Sequence, residues 1–237
     1  VREHPWHLRL PTAENYRWFK NLVDLHELTT QWIQEAQTDR PSYTMTRGLS
    51  REVSENLWML ESLSALQLDQ LLDDTLPQDT LGRLEHTIWA VQSWTVTHLY
   101  SKTNPNTNSS LDSILEQACW KLGKACVEAR WPQLVKTQKL PLKNILLALN
   151  DSPFSGFPHG EGFLLRRATQ NEIQVELRIC PHQIHFTEVR PNSDQLCRLH
   201  AQWMRGFAYA LNHRASLEHV IQGPKSIPRC IQRWFLS

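Results

Sequence analysis

The chain lacks any long apolar run. No stretch of about 18 apolar residues occurs in its 237 positions, so no membrane-spanning helix is expected. It also lacks charge of one sign. Lys and Arg number 25 against 24 Asp and Glu, leaving a net charge of +1. That balance removes the electrostatic case for nucleic acid or an anionic membrane as the main partner. Cysteine is sparse. Five thiols, an odd number, are scattered through a chain too long to need staples. Reduced cysteines and a cytoplasmic location are the expectation. No internal repeat and no low-complexity tract stands out. Val1 in place of Met leaves room for a removed leading segment.

What remains is an ordinary globular composition, 41% hydrophobic and 21% charged, with enough length for one large domain or two small ones. Ten tryptophans are many. Large aromatics dominate core burial, so a core role outweighs a pocket role for most of them.

Apolar spacing of one, three or four residues predicts helices over residues 13–37, 51–74 and 79–102. Asparagine-rich residues 103–109 read as a linker and place a domain boundary at 105/106. A fourth helix follows to about residue 129. Cys119, Gly123 and Cys126 share or border its apolar face. Small residues there let another backbone approach closely, and packing is the simpler role for the two cysteines. A short helix is expected over 142–149. A loop rich in glycine and proline then carries His159 between Pro158 and Gly160.

The period then changes. Residues 162–168 and 173–180 read as two strands, with Val175, Leu177 and Ile179 pointing one way. Pro181 cannot continue a ladder, so Cys180 falls at a strand end. A helix over 192–211 and strands over 216–221 and 227–235 complete the chain. The fold class is therefore α+β: a helical region over residues 1–105, then a small antiparallel sheet packed on helices over 106–237.

Residues 176–211 concentrate the soft, titratable side chains. The order is Cys180-Pro181-His182-x-x-His185, then Cys197-x-x-His200. Cys197 and His200 are three apart on a helix and so share a face. These five are also the right ligand types for zinc or iron, although their spacing matches no known zinc finger. No cofactor is specified.

The order Gly123, Cys180-Pro181, Cys197, Gly206, Leu211-Asn212, Glu218, Gly223 and Cys230 resembles the L-2-amino-thiazoline-4-carboxylic acid hydrolase family. More distantly it is similar to the small-molecule-binding domains named after vinyl reductase. The likeness covers about residues 109–235. His213 departs from it, standing where the family has proline. So does the last turn, which reads Gly223-Pro224-Lys225.

The resemblance implies two functions. As a cysteine hydrolase opening a cyclic amidine or thiazoline, the chain would use Cys180 as nucleophile. His182 and His185 would lower its pKa, and Glu218 or His200 would move protons. As a non-catalytic module, it would hold a small molecule in a pocket lined by Trp203 and Phe207, with His159, Cys197 and His200 nearby. The helical half would then offer a partner or homodimer surface. The plainer reading makes Glu218 an exposed strand residue, His159, His182 and His185 solvated, and Cys197 and Cys230 packed thiols.

Overall fold

A computed structural model describes residues 108–150, 152, 163–177, 193–222 and 229–237, together with Thr30 and Ile88, each within a helix. The remainder of the three helices expected over residues 13–102, and the expected 105/106 boundary, lie outside these residues.

The described residues from 108 onward form four helices and a four-stranded sheet. In order they are α1 (Asn108–Arg130), α2 (Pro132–Val135), α3 (Leu142–Asn150), β1 (Phe163–Ala168), β2 (Glu172–Leu177), α4 (Ser193–Leu211), β3 (Ala215–Gln222) and β4 (Arg229–Leu236). This is the α+β architecture expected from the change of period.

Local chemistry sets the breaks. Trp131 precedes Pro132 and leaves helical geometry, with φ −136° and ψ 58°. The proline ring clashes with a helical residue before it, so α1 stops there. Pro132 then occupies the first turn of α2, where a missing N–H costs nothing. Thr169 closes the β1–β2 turn. Its N–H donates to the Glu172 carbonyl at 2.7 Å, and its Oγ1 accepts from the Glu172 N–H at 3.0 Å.

The strand order is β1-β2-β4-β3, with each neighbouring pair antiparallel. Two hairpins thus meet through β2 and β4. Register sets which residues share a face. Ile173 stands opposite Trp234, Val175 opposite Gln232 and Leu177 opposite Cys230. On the other side of β4, Leu217, His219 and Ile221 face the same three. That face is covered by α3 and α4 and holds the buried Ile173, Val175, Leu217, Cys230, Gln232 and Trp234.

Helix α4 is the central element. Leu196, Leu199, Trp203, Phe207, Ala208 and Leu211 are all buried, on more than one side of the helix. A helix apolar around most of its circumference must be covered on several sides. Here α1 packs on one side and β3 on another.

The two long helices run parallel. Asp112 faces Arg198 at 3.8 Å, Glu116 accepts a hydrogen bond from Gln202 Nε2 at 2.9 Å, and Trp120 meets Gly206. Partners advance together along both. At the crossing, Gly123 lies under the backbone carbonyl of Trp203, and Gly206 under that of Trp120. The sequence repeats itself locally there, as Trp120-x-x-Gly123 and Trp203-x-x-Gly206. Each helix presents the same four-residue step to the other.

The sheet's outer face carries charge. Arg233 on β4 donates from Nε to Glu172 on β2 at 2.8 Å, and from Nη1 to Glu218 on β3 at 3.0 Å. Arg167 on β1 reaches Glu172 at 3.6 Å. The ladder therefore ties all four strands.

Candidate functional site

Among the described residues, helix α3 forms one wall of an apolar concavity. Leu142, Ile145 and Leu149 are buried against the core. Leu146, Leu147 and the edge of Leu149 line the groove, and Leu147 remains 58% exposed. Facing them is the β1–β2 end of the helix-covered sheet face, with Leu165, Ile173 and Val175. Leu165 is 60% exposed although it shares a face with buried residues. Between these walls lies a groove of about 720 Å³, within the range of small-molecule sites.

Its polar groups are few. Gln232 lies at the floor, 5% exposed. Its Oε1 accepts from Trp234 Nε1 at 3.3 Å, and its Nε2 donates to the Met204 sulfur at 3.7 Å. An amide offers two N–H donors and two lone pairs. Gln232 can therefore both hold the core and address a ligand. Thr169, Gln170 and Lys143 stand elsewhere along the lining.

The residues expected from the sequence fall in several places. Cys197 is buried against Cys230, with Leu177 and Ile221 packed on the pair. His200 is buried on α4, one turn beyond Cys197. The proximity of Cys197 and His200 along one helix follows the expected spacing. Trp203 and Phe207 are both 0% exposed. Their rings stack at 5.2 Å and 29°, and Trp131 meets Phe207 edge-on at 5.8 Å. They fill the core at the helix crossing and do not line the groove. Tyr209, on the exposed side of α4, packs on Trp120 at 5.3 Å.

Glu218 is on the outer face of the sheet, held by Arg233. The structure does not bring it to the face where Cys197 and His200 are buried. Cys180, His182, His185 and His159 lie outside the described residues. Among the described residues no three His, Cys, Asp or Glu side chains gather as a metal-holding group. Of the expected metal ligands, that statement covers only Cys197 and His200.

Burial, reinforced by the nearby Glu116 carboxylate, pushes the Cys119 thiol far up and keeps it protonated. That fits the packing role expected of it at the α1 crossing. On the outer face, the hydrogen bond from Arg233 holds Glu172 below its ordinary carboxylate value.

Sequence reasoning missed the groove residues Lys143, Leu146, Leu147, Leu165 and Gln232. Two signals were present. In the short helix LKNILLALN, Leu147 stands off the stripe of Leu142, Ile145, Leu146 and Leu149, one leucine more than a single buried face requires. Leu164 and Leu165 are adjacent in a strand, so they point to opposite faces.

No protein-family model and no curated protein matches the chain. Among solved structures it is similar to the Fe(II) unliganded H-NOX protein from K. algicida. Identity there is 13%, covering 90% of this chain and 96% of that one, with a TM-score of 0.38. It is also similar to a mutant of T. tengcongensis H-NOX, at 14% identity, 89% and 96% coverage and a TM-score of 0.32. Likenesses this weak assign neither a family nor a function. Among the described residues, no helix is long and apolar enough to cross a membrane.

Proposed function

We propose that this chain is a small-molecule-binding protein whose ligand lies in the groove between α3 and the β1–β2 hairpin. One observation carries the reading. Leu147 and Leu165 are large, apolar and more than half exposed, and both line one groove of about 720 Å³. Exposed apolar surface gathered in a concavity marks a place where something apolar binds. The buried amide of Gln232 at the floor adds the polar contact such sites use for orientation.

This reading takes up the binding role implied by the vinyl-reductase-type resemblance, in a different place from Trp203 and Phe207. The hydrolase role draws on Cys180, His182 and His185, and the ion pair of Glu218 with Arg233 counts against Glu218 as its proton carrier. A binder of a diffusible small molecule also accords with the cytoplasmic location, which remains part of the proposal.

The test is a fluorescence titration with the neutral apolar probe N-phenyl-1-naphthylamine. The wild-type chain should bind it saturably at one site. Leu165→Asp and Leu147→Asp alter exposed positions and should keep Tm close to wild type while weakening binding at least tenfold. Non-saturable fluorescence, or unchanged affinity in both variants, would refute the reading.

A further inference from the structure

The lining of the groove is asymmetric, and the asymmetry specifies the ligand further. Lys143 is the one charged residue among the described lining. It makes no ion pair among the described residues, whereas Arg166, Arg167, Arg198 and Arg233 each meet a carboxylate.

The backbone places Lys143 at one end. The Leu140 N–H donates to the Leu211 carbonyl at 3.2 Å, and Asn212 Nδ2 donates to the Leu140 carbonyl at 3.0 Å. The start of α3 is thereby fixed beside the end of α4 and the start of β3. The β1–β2 turn lies at that same end, because Leu236 pairs with Ala215 and its N–H donates to the Asn171 carbonyl at 3.0 Å. Lys143 thus shares an end of the groove with the turn residues Thr169 and Gln170. Leu165 and Val175 lie two residues or more further from the turn along their strands than Ala168 and Ile173 do. One end of the groove is polar and cationic, and the body is apolar.

We infer that the ligand is an amphiphilic carboxylate, with an aliphatic tail along Leu165 and Val175 and an acid group at Lys143. This rests on the binding reading above and adds the chemistry of the head group. An ammonium beside a partly desolvated carboxylate gives a charge-assisted hydrogen bond, which a neutral alcohol head cannot match. Apolar contact with the walls supplies most of the affinity, and Lys143 supplies the preference for an acid.

The experiment displaces bound N-phenyl-1-naphthylamine with dodecanoate or with 1-dodecanol, both below their aggregation concentrations. Wild type should prefer dodecanoate by roughly fivefold, the scale of a partly exposed ion pair. Lys143→Gln should remove that preference by weakening dodecanoate alone, since the tail contacts are untouched. The preference should also shrink as salt rises from about 20 to about 500 mM. Equal affinities in wild type, a preference that survives in Lys143→Gln, or displacement by neither compound would overturn the inference while leaving the groove reading intact. Failure of the probe itself to bind would remove both. A parallel arm uses phosphatidylglycerol vesicles. Sedimentation with them that is lost in Lys143→Gln would assign the lysine to a lipid surface and overturn the free-acid assignment.

Discussion

Gly206 on α4 lies so close beneath the carbonyl of Trp120 on α1 that a β-carbon there would run into the backbone. Gly123 stands in the same relation to the carbonyl of Trp203. Neither obstacle is a flexible side-chain end, so the helices themselves must separate to admit a methyl group. Overpacking of this kind costs about 1–3 kcal/mol, against a gain of about 1 kcal/mol from replacing glycine with alanine in a helix. Gly123→Ala and Gly206→Ala should each lower Tm by several degrees. The double variant should lose less than the sum, because the first methyl already parts the helices at the shared crossing. A Tm equal to or above wild type in either single variant would contradict this account of the crossing.

Trp203 is predicted to act on stability rather than on binding. It is fully buried and stacked on Phe207. Truncation of a buried aromatic to alanine costs about 3–5 kcal/mol, and a smaller ring retains part of that packing. Trp203→Phe should therefore lower stability measurably in chemical denaturation while leaving naphthylamine affinity within twofold in the folded fraction. A variant of normal stability with lost binding would return Trp203 to the ligand site.

The charge ladder on the outer face sets an acid dependence. Its hydrogen bond with Arg233 keeps Glu172 ionised in the folded chain at pH values where the unfolded chain takes up a proton. The folded value is lowered, so stability rises with pH across this range. The contribution is complete above the ordinary value of 4.5 and is lost as pH falls through the lowered one. Thermal melts from about pH 7 to about pH 3 should show Tm falling, with the steepest loss below about 4.5. Arg233→Met should flatten that part of the profile while shifting the neutral-pH Tm only slightly, since exposed ion pairs contribute little. An acid limb as steep in Arg233→Met as in wild type would assign the dependence to other carboxylates.

Much of the described fold was legible because each element follows a short-range rule. The apolar stripe of α1 and the alternation of Val175 and Leu177 depend on residues near in sequence. The small residues of α1 also announced a close approach. Its partner was not legible, since the match between Trp120-x-x-Gly123 and Trp203-x-x-Gly206 acquires meaning only when the helices lie side by side. The site was less legible still. Cys197 and His200 were singled out by residue type, and their shared burial followed from helical spacing. Glu218 was grouped with them in sequence order, but strand register turns it to the opposite face, toward Arg233. Trp203 and Phe207 carry the same residue types whether they line a pocket or fill a core. The groove depends on how α3 lies against the β1–β2 end of the sheet, where Leu165 is exposed on the face that buries Ile173 and Val175. That is a property of the assembled layers.

The most direct test of the central claim locates the bound probe. Leu and Val methyl groups would be labelled, and methyl NMR spectra followed as N-phenyl-1-naphthylamine is added to saturation. Ring-current shifts should appear at Leu146, Leu147, Leu149, Leu165 and Val175, the leucines and valine that line the groove. Leu115 and Leu199, buried in α1 and α4, should stay in place. Shifts confined to those two core leucines, or no shifts at the groove methyls under saturating probe, would contradict the groove as the binding site.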